Sequence, residues 1–206
     1  GLKPTATIMF GHVEQPIHWA KHILKIRNIQ MRTGGFSEFV PLPYVPLESP
    51  LYLKGKARPG PTFREFVLMH AVARLAFHGQ IGNIQTSWTK LGLPGISVTL
   101  NAGANDLGGT LMNESITRSA GAKHGQELTP QKMEQTIVSL SRSPRQRNTL
   151  YGEVNSERLK ASFIAGELLE VVNTLPNRKP NINPINNNRV RRTLHRSSVD
   201  IETIAV

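Results

Sequence analysis

Short apolar runs and amphipathic segments alternate four times along this chain, and that alternation constrains the fold more than any single residue. Thr5 to Val13 is β-prone and gives way to Pro16, a residue suited to the first position of a helix. Trp19, Ile23 and Ile26 follow at helical spacing until Gly34-Gly35 stops the helix. Phe36 to Leu42 reads as a second strand, and a Pro-rich stretch runs from Pro43 to Pro61. Thr62 and Glu65 form a capping box for a helix to about His78. That helix is apolar nearly all round, so it is expected to be well buried.

Asn83 to Trp88 and Ala104 to Leu111 read as third and fourth strands, separated by a helix over Leu91–Asn101 that Pro94 and Gly95 interrupt. Thr129 caps a further helix with Pro130 at its first position and Met133, Ile137 and Leu140 on one face. A last helix is expected over Ser156–Asn173, aligning Ile164, Leu168 and Val171. Strand-then-helix units in series imply a parallel α/β sheet. Four such units are half of a (β/α)8 barrel, and a half barrel leaves two open sheet edges. A small open α/β sheet satisfies the same pattern.

Composition removes several classes of function. The chain has 206 residues and no cysteine, which excludes disulfides, thiolate metal sites and cysteine nucleophiles. A hydrophobic fraction of 38% supports a packed core. The formal charge is +11, yet no dense stripe of Lys and Arg alternates with aromatics, so nucleic acid is not the expected partner. From Thr174 onward six basic residues face only Asp200 and Glu202, in a Pro/Asn/Arg-rich tail without apolar periodicity. No apolar run approaches the ~20 residues of a membrane span. A strand begins almost at once after Gly1, as expected of a chain that starts inside a longer polypeptide.

Parallel α/β folds place their chemistry at the carboxyl ends of the strands. Reading those ends from the sequence gives Gly11, His12 and Glu14; Glu38; Asn83, Gln85 and Ser87; and Asn105, Asp106, Gly108 and Gly109. Four polar strand ends in succession point to a shared pocket. The stretch Leu100–Gly125 mixes Leu107, Leu111 and Met112 with Asn105, Asp106 and Glu114, as a buried element ending in a polar wall does.

These residues resemble a known family. TIMFGHVE, GGFSEFVPLP, ARPGPTFREFVLMHAVAR, NIQTSW and NDLGGTLMNES are similar, in unbroken order from Lys3 to Tyr151, to the deazaflavin-synthase (FO synthase) radical S-adenosylmethionine enzymes. The likeness is to the half that joins a tyrosine-derived fragment to ribityl-diaminouracil. Menaquinone-pathway radical enzymes are similar relatives. The resemblance implies a barrel whose first strand ends in a CxxxCxxC loop holding a 4Fe–4S cluster. Cluster-bound S-adenosylmethionine yields a 5′-deoxyadenosyl radical, and a 4-hydroxybenzyl radical from tyrosine adds to 5-amino-6-(D-ribitylamino)uracil. Such clusters need thiolate ligands, so this chain is expected to be the carboxyl-terminal half of the barrel and inactive alone. Residues 1–151 would be the half barrel, 152–175 a C-terminal helix and 176–206 a basic, disordered tail.

Thr7-x-Met9-x-Gly11-x-x-Glu14 is similar to the GxIxGxxE pattern that lies against the adenine in such enzymes, with Thr and Met replacing its first two defined residues. The resemblance assigns Met9, Gly11 and Glu14 to the cofactor. It assigns Asn83, Gln85, Ser87, Asn105 and Asp106 to substrate, the pyrimidine above all, where an amide and a carboxylate match alternating donors and acceptors. Asp106, Glu38 and His12 are the candidates for proton transfer or for tyrosine's polar groups. Glu114 and Ser115 are expected to cap a short helix. His18 and His22 share a helix face without a third ligand and read as solvated residues rather than a metal site. Ser143 to Arg147 reads as a charged turn. Three organisations stay open: a fragment of a longer protein, one chain of a split enzyme, or a cluster-less binding or scaffold module.

Overall fold

A computed structural model describes residues 2–111, 113–122, 124–166 and 168. Gly1–Thr174 and Leu175–Val206 form separate units, and the second, with the expected basic tail, lies outside the described residues. β1 (Thr5–Phe10) pairs in parallel with β2 (Glu38–Pro43), Thr5 opposite Glu38 and Phe10 opposite Pro43. The ladder continues as two isolated parallel bridges, Phe39 with Ile84 and Gln85 with Asp106. Hydrogen bonds from Phe39 N to Asn83 O, Gln85 N to Phe39 O and Thr86 N to Asp106 O carry it across. Four extended segments therefore lie side by side in sequence order, all parallel.

The third and fourth expected strands are shorter than the sequence pattern promised. Each pairs with a neighbour through a single bridge because the chain turns away at once: Ser87 is already the N-cap of a helix, and Gly108 takes φ +73. Asp106 secures that second turn by accepting the Gly108 N–H at 2.6 Å. β1 likewise ends at Phe10, three residues early, because Gly11 adopts φ +93.

Seven helices are present among the described residues. α1 (Pro16–Thr33) starts at Pro16 and ends where Gly34, at φ +57, donates its N–H to Gln30 O. α2 (Pro50–Leu53) lies within the Pro-rich stretch. α3 (Phe63–Ala76) carries the expected capping box, with Thr62 and Glu65 satisfying each other's backbone N–H. α4 (Trp88–Asn101) begins earlier than expected and is kinked where Gly92 leaves helical geometry, the His124 ring filling the space a Cβ would need. α5 (Ile116–Ser119) is short, α6 (Pro130–Ser139) has Thr129 as its cap, and α7 (Ser156–Ile164) stops at Ala165. The sequence-based end at Asn173 was too late: Ala165 adopts an extended ψ of 127, while Leu168 lies past the helix and Val171 outside the described residues.

Burial alternates along β1, with Ala6, Ile8 and Phe10 inside and Thr5, Thr7 and Met9 exposed. The inward residues pack with Ile23 and Ile26 of α1, Phe39 of β2, and Phe66, Met69, Ala73 and Phe77 of the α3 region. A second cluster joins Trp88, Ile96 and Leu100 of α4 to Leu107 and Leu128, with Met133, Ile137 and Leu140 packed against it. One sheet face is thus sealed by helices. His70 is fully buried in that layer, its Nδ1 at 3.0 Å from Phe66 O, and burial pushes its pKa down to about 4. α3 departs from expectation on its other side, where Leu68, Val72 and Leu75 are exposed. Its apolar residues outnumber the surface the sheet offers, so only one stripe is covered.

These two environments predict opposite costs for losing apolar bulk. Phe39→Ala, at a site with no exposure, should cost about 3–5 kcal/mol in urea unfolding. Leu75→Ala, at 78% exposure, should stay within about 0.5 kcal/mol. Equal losses would contradict this account of the core.

Candidate functional site

The second sheet face is set by the pleat, since residues two apart share a side. From the amino end upward the register stacks Thr5, Glu38 and Asn83, then Thr7, Val40, Gln85 and Asp106, then Met9, Leu42, Ser87 and Gly108. Glu38 is the first residue of β2, so it stands at the amino end and not at the carboxyl end where the sequence reading put it. Asn105 points the other way. Its Oδ1 accepts from Ile84 N at 2.8 Å and from Arg74 at 2.7 Å, and its Nδ2 donates to Gly82 O. Asn83 donates to Ser37 O at 2.9 Å. Both asparagines therefore tie strands to their loops, because an amide can satisfy backbone groups that a short ladder leaves open.

At the carboxyl end, the turn after β1 is built around one carboxylate. Glu14 accepts the N–H groups of Gly11, His12 and Val13 and the Trp19 Nε1–H at 2.7 Å. Arg58 lies 3.8 Å away and pairs with Glu65 at 2.8 Å, joining this turn to the cap of α3. The Arg58 N–H also donates to His12 O at 2.9 Å. His12 Nδ1 is 2.5 Å from Glu14 Oε2 but off the axis of a hydrogen bond, and its ring lies 5.5 Å from that of Tyr44. Burial opposes ionisation of Glu14, yet its backbone donors outweigh that and hold its pKa at about 2. Gly11 is compulsory here: a Cβ would stand 2.3 Å from Pro61, and φ +93 disfavours any other residue. Met9, just before it, is 53% exposed.

A second cluster fills the middle and amino-end layers, and the sequence did not point to it. Arg147 pairs bidentately with Asp106 through Nε and Nη2, and the same Nη2 is 3.9 Å from Glu38 Oε2. Tyr151 donates its hydroxyl to Glu38 and lies under the Arg147 guanidinium at 4.0 Å. Thr5 Oγ1 donates to the other Glu38 oxygen at 2.7 Å. Burial works against the Arg147 charge, but Asp106 more than restores it; burial and Glu38 together push the Tyr151 phenol up. The segment that brings them in closes on itself through an Arg147–Glu153 bridge. The only sequence signal was the Arg145-Gln146-Arg147 run, whose commoner meaning is a solvated turn.

Gln85 packs against Gly108, where a Cβ would stand 2.7 Å from its amide. Ser87 Oγ is 3.2 Å from Thr89 Oγ1. Glu114 accepts the Thr117 N–H at the start of α5, whereas Ser115, at the N-cap position, makes no side-chain cap hydrogen bond, so of the two expected caps only Glu114 acts. His22 Nε2 is 2.9 Å from Thr7 O, and His18 Nδ1 accepts the Gln15 N–H. Among the described residues no group of three His, Asp or Glu is placed to hold a metal ion. The donor set therefore does not suit a 4Fe–4S cluster, which takes thiolates this chain lacks.

The protein-family description "CofH/MqnC C-terminal region" matches residues 33–159. The chain belongs to this family. It is 52% identical over 155 residues to the FO synthase of Nocardia farcinica, covering 75% of the chain and 18% of that protein. It is 48% identical over 162 residues to the FO synthase of Streptomyces coelicolor. Against the 5-amino-6-(D-ribitylamino)uracil–L-tyrosine 4-hydroxyphenyl transferase of Methanopyrus kandleri it is 50% identical over 154 residues, 42% of that protein. The chain thus spans less than half the length of these curated relatives. The family region reaches from the end of α1 into the first half of α7, so it takes in Glu38, Gln85, Asp106, Arg147 and Tyr151 but not the Gly11–Glu14 turn.

For a carboxylate held below its unfolded value, the stabilisation is present above pH 4.5 and is lost as pH falls toward 2. Glu14→Gln should lower stability by roughly 2–3 kcal/mol at pH 7 and flatten the urea midpoint between pH 4.5 and 2. A variant with wild-type acid sensitivity across that window would argue against the role given to Glu14. Gly11→Ala should cost about 2 kcal/mol or more by strain and contact with Pro61; thermal unfolding reads this directly.

Proposed function

We propose that this chain is the substrate-side half of a (β/α)8 radical S-adenosylmethionine transferase acting in deazaflavin formation. In that reading the enzyme condenses a tyrosine-derived 4-hydroxybenzyl group with 5-amino-6-(D-ribitylamino)uracil. The observation that carries it is the set of four parallel extended segments in sequence order, with one face sealed by helices and the other carrying Thr5, Glu38, Gln85 and Asp106 in register. Membership of the CofH/MqnC C-terminal family, and the activity for which the Methanopyrus relative is named, supply the chemistry. The edge of β1 that pairs with no strand among the described residues is where a preceding half barrel, on the same or a separate chain, would continue the sheet. That half would carry the cluster, and bound S-adenosylmethionine would supply radical initiation.

The residues of this chain then have distinct tasks. Met9 offers an exposed thioether beside the β1 turn for the adenine edge of the cofactor. Glu14 and Gly11 hold that turn and leave no free carboxylate oxygen for a ligand. Gln85, half-buried on the second face, and Ser87, buried next to it in the register, are the remaining contacts for the pyrimidine. His12 stands at the same end of the strands and is the proton-transfer candidate the geometry favours. Asp106 and Glu38, tied up by Arg147 and Tyr151, act by shaping the floor. That internal pairing is also what a non-catalytic binding module would show, and it favours this second reading over loss of the fold.

Mixing the chain with a separately produced amino-terminal half from a relative, under anaerobic conditions with both substrates, tests the proposal. Fluorescent deazaflavin product should form only when both halves are present. No product from a pair that associates and holds its cluster would favour the non-catalytic module.

A further inference from the structure

Lys90 lies in the first turn of α4, immediately past the third extended segment, with its side chain half-buried. Its Nζ donates to Thr117 Oγ1 at 3.0 Å, and that hydroxyl donates onward to Glu114 Oε1 at 3.2 Å. Glu114 also accepts the Thr117 N–H at 3.0 Å, while its second oxygen is buried without a hydrogen bond. Among the described residues Thr117 is the one acceptor that the Lys90 ammonium reaches. An ammonium carries three donors, so two remain unclaimed. Burial pulls the Lys90 pKa down and the field of Glu114 opposes it.

The ammonium is half-buried, so the two donors that the protein leaves unclaimed are open to an anion as well as to water. A solvated lysine would not need a hydroxyl oriented toward it by a carboxylate. A structural ion pair would bring Glu114 into direct contact, and the intervening Thr117 keeps the two apart. The location is also the ligand end of the fold, since Lys90 and Thr117 lie in α4 and α5, the helices that follow the carboxyl ends of the third and fourth segments.

We propose that Lys90 recognises the carboxylate of the amino-acid substrate, with Thr117 and Glu114 as its positioning residues. This rests on the transferase reading above. Of the two substrates in the name of the Methanopyrus relative, L-tyrosine has a carboxylate and the ribitylaminouracil has no anionic group. S-adenosylmethionine carries the same chemistry at its methionyl end, so the test separates the two sources.

The experiment uses the complete cluster-loaded enzyme, with the amino-terminal half present, and measures equilibrium binding of tyrosine, tyrosinamide and S-adenosylmethionine by calorimetry. Lys90→Gln should weaken tyrosine roughly 10- to 100-fold, the loss expected for a charge-assisted contact. Tyrosinamide should bind wild type and variant alike, and Lys90→Arg should recover most of the tyrosine affinity. Thr117→Val should weaken tyrosine by a smaller factor. Unchanged tyrosine affinity in a folded Lys90→Gln enzyme would overturn the proposal, as would a loss confined to S-adenosylmethionine. If Lys90→Gln fails to fold, tyrosine and tyrosinamide binding equally to wild type would overturn it instead. A wild-type enzyme that binds no tyrosine would defeat the transferase reading as well, whereas product formation with an indifferent Lys90 would remove this proposal alone.

Discussion

The Glu14 carboxylate is the point on which the carboxyl end of the sheet depends. Four donors from three successive backbone positions and one indole converge on it, and Arg58 ties it to the capping box of α3. A buried charge is tolerable only when so fully answered. The result is a rigid turn that aims β1 at solvent through Met9 while Gly60-Pro61 crosses directly over Gly11. The Gly-x-x-Glu spacing is therefore a structural device in its own right, whatever ligand comes to lie beside it.

Local chemistry was legible in the sequence to the extent that it was local. Pro16, Gly34, Thr62 with Glu65, and Thr129 with Pro130 announced helix ends because caps act over three or four residues. The fold class followed from alternation alone. What failed was anything decided by a partner far along the chain. Asn83 to Trp88 has strand composition, but whether it makes one bridge or five depends on when Ser87 and Gly108 turn away. Glu38 was assigned to the wrong end of its strand because composition shows where a strand is and not where it starts.

The candidate site divided the same way. His12 and Glu14 were found since a turn after a strand is a local feature, and Asp106 was found for its polar surroundings. Arg147 and Tyr151 were missed, although they decide what Asp106 and Glu38 can do. Nothing within ten residues of Arg147 hints that its guanidinium belongs inside the sheet's open face. Lys90 was missed for a different reason: a lone lysine early in a helix reads as solvent-facing, and only the Thr117 hydroxyl marks it as held.

The bond between Tyr151 and Glu38 spans 113 positions of sequence, and this has a consequence for the order of assembly. Until residue 151 has left the ribosome, Glu38 lacks the Tyr151 hydroxyl, and until residue 147 has, Asp106 lacks its guanidinium. The first apolar cluster draws on no residue past Leu91. The chain thus holds the parts of that cluster well before those of its charged interior, and in the interval an unfinished face is exposed to other chains.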